Sequence, residues 1–424
     1  MIFALGLLPV LLLACGFPIF IVLLTASAVA LVFFMQMPLP VLHQTLFDAL
    51  NHYPLLAVPF FIYAGELMSR GSITTRIVDF VQAGTAPLRG NIGLTTVGTS
   101  AIFGAISGVS AASVATIGKA MLPALRRDKY PETFSAGVLT AMGAIDVVIP
   151  PSVPMIIYAS SAQQSLPRLY AAGVFPGLLI SILVALYVSW FAWRRNIGAK
   201  RRFDWRQLRH STWRCLWALG APVIILGGIY GGIFSPTEAA AIACLYAIVV
   251  TRLIFRELGW RDILDTARST ALFTSQILIV VACASVFGWL LTVNQVPAAL
   301  VGWIDAMQVS PWLLLLVINI LLLAVGCLVD PISAILLLSP LLLPIVLAVG
   351  IDPIHFGLIM TVNLAIGLFT PPFGINIFVA QSVLGMNLRT IYQGILPFLM
   401  IYLLALGVVT YVPDIALSSM RFFY

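Results

Sequence analysis

A chain of 424 residues that is 61% hydrophobic and only 9% charged is excluded from the ordinary soluble class, where about a quarter of residues carry charge. Its apolar runs are continuous rather than alternating, which excludes a β-barrel and indicates a polytopic helical membrane protein. The net charge of +7 reads as topology signals flanking the spans rather than as a nucleic-acid surface. Cys15, Cys215, Cys244, Cys283 and Cys327 lie singly in apolar sequence, without metal-ligand spacing, and read as packing residues.

Met1 leads straight into an apolar stretch with no basic n-region, so it reads as a retained first span. Met1 to Cys15 and Phe17 to Met35 form two spans or one span broken at Gly16-Phe17-Pro18. Residues 36–53 are a loop or surface helix, and Leu55 to Met68 is a short span carrying Glu66. Arg70, Arg76, Asp79 and Arg89 among apolar residues mark 70–90 as an amphipathic arm lying in the interface. Asn91 to Leu125 holds two short apolar arms around the small residues 104–113. It reads as a re-entrant hairpin, against the alternative of a helix pair with a glycine-rich crossing.

The run from Thr133 to Ala162 is interrupted by Pro150-Pro151. A double proline removes two backbone donors and forces the preceding residues out of helical geometry, so the helix breaks near mid-membrane. Bared backbone at that depth is tolerated only against protein, water or a ligand. A span follows at 169–193, then the most basic loop, 194–214, read as a cytoplasmic anchor that includes Lys200, Arg201 and Arg202. Leu216 to Phe234 and Ala239 to Val250 are spans joined by Ser235-Pro236-Thr237-Glu238, and Ala271 to Leu291 is another. Residues 294–310 form a second amphipathic arm without Lys or Arg. Pro311 to Val349 is a second hairpin with its tip at 326–333. A second broken helix, about 353–385, carries Thr370-Pro371-Pro372. The last span is about 391–412, followed by a short tail.

An offset of 221 positions lays the second half on the first without a gap: Leu122-Pro123 on Leu343-Pro344, Pro150-Pro151 on Pro371-Pro372, Gly173 on Gly394 and Pro176 on Pro397. Two broken helices in matching positions of two halves point to a transporter's binding site. The charges set the orientation. The first arm and hairpin are flanked by basic residues, while their second counterparts are flanked by Asp305 and Asp352. The two halves are therefore inverted, and every Lys and Arg except Arg168 and Arg421 falls on the cytoplasmic side. The expected organisation is scaffold helices and the cytoplasmic arm in 1–90, and the first half of a transport domain in 91–165. Further scaffold and the periplasmic arm occupy 166–310, the second half of the transport domain 311–387, and the last span and tail 388–424.

Five stretches are similar to the large membrane subunit of the tripartite ATP-independent periplasmic (TRAP) transporters. They are Phe103 to Ser110 (FGAISGVS), Ile149 to Tyr158 (IPPSVPMIIY), Ser235 to Ala241 (SPTEAAA), Asp330 to Leu336 (DPISAIL) and Val362 to Asn376 (VNLAIGLFTPPFGIN). The resemblance implies an elevator-type ion transporter in the bacterial inner membrane, driven by Na⁺ or in part by H⁺, with no other cofactor. It implies two partners, a small four-helix membrane subunit and a periplasmic substrate-binding protein. The cargo would be an organic anion such as a carboxylate or sialic acid. The family usually places a small residue where this chain has Asp146. That acid stands as a modified ion site, a proton carrier or an internal ion-pair partner.

Broken helices free carbonyls, and Ser and Thr add hydroxyls without fixed charge, a donor set suited to Na⁺. One ion is expected between Ser107, Gly108 and Ser110 of the first tip and Asp146, Ile149 and Pro150 of the first break. A second is expected between Gly326, Val329 and Asp330 and the second break at Gly367, Thr370 and Pro371. Asp330 has an alternative role as cap of the helix at Pro331. An anion would sit between the tips, met by helix amino ends near Ser152 and Phe373. Asn363, Asn376 and Ser113 are further polar contacts. Glu66 and Glu238 read as structural. Three other classes stay open: a carrier of another inverted-repeat family working without a binding protein, a channel, and an intramembrane enzyme, for which no catalytic motif is present.

Overall fold

The computed structural model describes residues 3–38, 40–198 and 203–423; Met1, Tyr424 and the expected anchor residues Lys200, Arg201 and Arg202 lie outside them. Among the described residues every regular element is helical, and six helices are long and apolar enough to cross a membrane, or seven with the broken pair Glu132–Val148 and Val153–Ser161.

The two halves repeat element by element. The first runs Phe3–Ala14, Ile19–Phe34, Ala57–Arg70, the arm Ile73–Thr85, the hairpin Asn91–Ser107 with Ser110–Arg127, the broken helix, and Leu166–Arg195. The second runs Trp205–Tyr230, Pro236–Ile254, Trp260–Val293, the arm Val296–Ala306, the hairpin Pro311–Gly326 with Pro331–Ala348, the broken helix Pro353–Gly367 with Ile375–Leu384, and Leu388–Tyr411. The offset read from the sequence carries Ser110 onto Pro331, Arg127 onto Ala348 and Glu132 onto Pro353, all of them helix ends.

Packing is reciprocal, as a two-fold relation requires. Ala57–Arg70 packs on Pro236–Ile248, while Ile19–Val29 packs on the other half's Trp260–Val293. In the same way Ser110–Arg127 lies against Ile375–Leu384, and Val153–Ser161 against Pro331–Ala348. Each hairpin is therefore clasped by the broken helix of the opposite half.

Three boundaries differ from expectation, and one open alternative, at residues 36–53, resolves as a helix. The helix Trp205–Tyr230 begins inside the basic loop, because Asp204 caps it by accepting from the Arg206 amide at 2.8 Å. The helix Trp260–Val293 likewise takes in Arg261 and Arg268, its start closed by the Gly259 amide on Asp262 at 2.8 Å. Residues Pro40–Leu50 are helical. The tail is a helix too, Pro413–Phe423, which buries Ala416 and Ser419 and packs on Leu166–Arg195.

The acids expected to be structural are so. Glu238 closes a capping box with Ser235, whose N–H donates to its carboxylate at 2.7 Å. Glu66 pairs with Arg70 at 3.0 Å and accepts from Ser269 of the long helix at 3.3 Å. A third acid, Glu257, was not anticipated. It accepts from the Ser72 amide at 2.7 Å, bonds the Ser72 hydroxyl, and pairs with Arg76 at 3.1 Å. Arg76 also stacks over Phe255 at 3.7 Å. This cluster ties the start of the first arm to the loop before Trp260. Partial burial pushes the Glu257 carboxyl up, but the bonds from Ser72 and Arg76 outweigh it and leave it below the usual range.

Candidate functional site

The first hairpin turns at Gly108, whose φ of +60° is a left-handed value that glycine adopts freely. A Cβ there would lie 2.6 Å from the Pro151 carbonyl, so the tip rests directly on the double proline. Across that break the helix bends by 41°. The peptides Pro150–Pro151 and Pro371–Pro372 are both cis. At the second junction Gly367 lies against Gly326 with no room between backbones: a Cβ on Gly367 would run into the Gly326 carbonyl.

A cavity of about 480 Å³ opens where these junctions meet the helices Ile19–Val29 and Trp260–Val293. One wall is the first tip, Gly108 to Ala111, and another is the second tip, Asp330 to Ser333. Val147, Val153 and Pro154 of the first broken helix and Leu368 and Ile375 of the second complete that side. Phe20 of Ile19–Val29 and Phe273 and Gln276 of Trp260–Val293 face them. The wall is mainly apolar with a few convergent polar groups and no Lys or Arg, the usual make-up of a small-molecule site.

Of the expected residues, Gly108, Ser110 and Asp330 line this cavity. Asp330 also caps its helix, accepting from the Ser333 amide at 3.0 Å, so the capping role is realised. Ser110 and Asn376, assigned separately to ion and solute, are hydrogen-bonded to each other at 2.8 Å, and Asn376 also donates to the Thr140 carbonyl at 3.2 Å. Ser113 and Ser152 are fully buried with hydroxyls that have no partner among the described residues. Ser107 is buried behind the tip, its backbone against Gly65.

Several residues stand elsewhere. The Asp146 carboxylate points along the hairpin arm rather than at its tip: Oδ1 lies 2.7 Å from Ser100 Oγ, which is also 2.8 Å from the Met142 carbonyl. Its Oδ2 has no partner, and no ion pair to it occurs among the described residues. Asn363 donates to Asn319 Oδ1 at 2.6 Å, and Asn319 in turn to Thr410 at 3.1 Å. That chain joins the second hairpin to the last span, away from the cavity wall. Phe373 precedes the helix start at Ile375 and is 56% exposed, outside the cavity wall. The Thr370 hydroxyl is taken by the Ile366 carbonyl at 2.7 Å. The Ile149 side chain packs on Gly177, while Val329 and Pro371 are part-exposed residues beside the junctions.

Gln276, Phe273 and Ser333 were missed. Gln276 had a signal, as a lone amide in an otherwise apolar span. Ser333 had one in its position three residues after Asp330.

The family described as "Tripartite ATP-independent periplasmic transporter, DctM component" matches residues 6–415. The C4-dicarboxylate TRAP transporter large permease protein DctM of Pseudomonas aeruginosa is 39% identical over 88% of this chain and 87% of its own. The ectoine/5-hydroxyectoine TRAP transporter large permease protein UehC of Ruegeria pomeroyi is 37% identical over 96% of both. The isethionate TRAP transporter permease protein DctMQ of Oleidesulfovibrio alaskensis is 39% identical over 95% of this chain, which spans only 64% of that protein's length. Among solved structures, the YdaH transporter of Alcanivorax borkumensis superposes with a TM-score of 0.66 at 15% identity, covering 95% of this chain and 97% of its own. Neisseria gonorrhoeae MtrF gives 0.60 at 12% identity, covering 95% and 94%. These two share the fold. The inverted halves, the paired hairpins and the sequence match agree: the chain is a membrane permease, not an enzyme, and belongs to the DctM component family of the tripartite ATP-independent periplasmic transporters.

Proposed function

We propose that this chain is the large permease of an importer for a small organic anion in the bacterial inner membrane, driven by a Na⁺ gradient. The observation that carries the reading is the cavity between the two hairpin tips, with a broken helix from each half in its wall. Solute held there contacts both halves of the transport domain on one side and the scaffold on the other. Sliding the transport domain past the scaffold would carry the solute across the membrane, the elevator motion. Na⁺ would be held near the tips by freed carbonyls with Ser107, Ser110, Thr370 and the neighbouring backbone, and Asp146 and Asp330 stand by as the acids of the two junctions. The cargo class rests on relatives named for C4-dicarboxylates and isethionate. The small membrane subunit and the periplasmic binding protein are its proposed partners.

Ala111→Trp tests the solute site, because Ala111 lines the cavity at the first tip. In proteoliposomes containing both partners, the variant assembles but takes up no succinate or isethionate. Uptake at the wild-type rate would remove the cavity from the transport path. Uptake by the wild-type chain that needs no binding protein would instead favour a carrier of another inverted-repeat family.

A further inference from the structure

A second cavity, of about 230 Å³, lies along the same three helices that wall the first. On Pro331–Ala348 the first cavity touches Ile332 and Ser333, and the second touches Leu336 and Pro340. On Trp260–Val293 the boundary falls between Val280 and Val281, and on Val153–Ser161 between Pro154 and Ile157. On the first of these helices only the step from Ser333 to Leu336, about 4.5 Å of rise, separates the two walls.

The lining differs in chemistry. His52, Ser160, Ser161, Gln163, Ser285 and Trp289 present imidazole, hydroxyl, amide and indole groups, and no acid or fixed cation lines the space. Among the described residues these six side chains have no hydrogen-bond partner; Gln163 is exposed and the other five are half-buried, so their polar groups are open to an incoming solute. Donors without fixed charge, gathered in one cavity and open to a solute, suit a small anion that must bind and then move on. Ser161 ends the broken helix that starts at Glu132, just after the basic turn Arg126 to Lys129, so this cavity lies toward the opposite face of the membrane.

We propose that this cavity is a staging site, where a small organic anion is held by His52, Gln163 and the serine hydroxyls before it moves along the shared helices to the cavity between the tips. The proposal rests on the transport reading above and adds a second binding position to it.

Cysteines introduced by Ser161→Cys and Ser285→Cys, one at a time, test it in sealed vesicles carrying the full chain and its partners. A membrane-impermeant sulfonated thiosulfonate is added from the face opposite the basic turn, and modification is read by peptide mass. Ser165→Cys, on the exposed neighbouring loop, is the labelling control. Both cavity cysteines are expected to be modified, succinate or isethionate is expected to slow the modification, and uptake by the modified protein is expected to fall to background. In a separate variant, Gln163→Ala, KM rises several-fold with kcat retained, as loss of a binding contact outside the translocation step requires. Modification of the control but of neither cavity cysteine would overturn the staging site. So would wild-type uptake by the modified proteins. If the unmodified wild type takes up neither anion under a Na⁺ gradient, the transport reading fails, and the labelling result still decides whether the cavity opens to that face.

Discussion

Asn376 donates to Ser110 Oγ at 2.8 Å across 266 residues, tying the tip of the first hairpin to the second broken helix. The bond joins the two inverted halves at the wall of the central cavity. The same amide donates to the Thr140 carbonyl. Asn376→Ala therefore strands a buried hydroxyl and a buried carbonyl, at a cost of about 1–3 kcal/mol. Thermal unfolding of Ser110→Ala, Asn376→Ala and the double variant in detergent should show strong non-additivity. Simple addition would mean that the two residues act independently.

Gly367 has no room for a side chain, because a Cβ would strike the Gly326 carbonyl, whereas Gly227 has nothing within 4 Å. Gly367→Ala is expected to destabilise the second junction by about 1–3 kcal/mol or more, since backbone on both sides must move. Gly227→Ala is expected to be neutral or stabilising, by up to about 1 kcal/mol from helix propensity. Detergent melting curves of the pair compare the two directly.

The Ser100 hydroxyl faces two acceptors, Asp146 Oδ1 and the Met142 carbonyl, with one proton to give. An amide at position 146 donates to Ser100 and frees that proton for Met142. Asp146→Asn should then match the wild type in stability to within about 1 kcal/mol, while Asp146→Ala leaves a void and loses about 1–3 kcal/mol. Equal losses in both variants would show that Ser100 needs the acid itself. Comparing the Na⁺ dependence of uptake in Asp146→Asn and Asp330→Ala then tests the two acids as ion ligands.

Glu257 titrates below the usual glutamate range because Ser72 and Arg76 bond its ionised form. A lowered folded-state pKa means that its contribution is fully present above the unfolded value and is lost as pH falls through the folded one. Acid should thus release the start of the first arm before it unfolds the hairpins and broken helices. Hydrogen exchange at residues 72–76 should quicken on acidification, and Glu257→Gln should exchange quickly already at neutral pH.

The frame of this fold was legible because its strongest signals are backbone signals. Pro150-Pro151, Pro371-Pro372, Gly108 and the Asp330-Pro331 start dictate breaks, turns and caps wherever they stand, and the offset of 221 positions needed only their spacing. Side-chain direction was less legible. Asp146 and Asn363 sit near the breaks in sequence, but the rotation of their helices turns them toward Ser100 and Asn319 rather than the tips. Rotation is set by packing against all the surrounding helices, and no local pattern records it in helices that are apolar all round. The second cavity was not legible either, since His52, Gln163 and Ser285 come from three separate segments, each unremarkable alone.

The most direct measurement is uptake of radiolabelled succinate or isethionate into proteoliposomes holding this chain, the small subunit and the binding protein, with the Na⁺ gradient imposed and then collapsed. Accumulation above equilibrium that requires all three proteins and vanishes with the gradient is the expected result. Accumulation that survives collapse of the Na⁺ gradient, or proceeds without the binding protein, would contradict it.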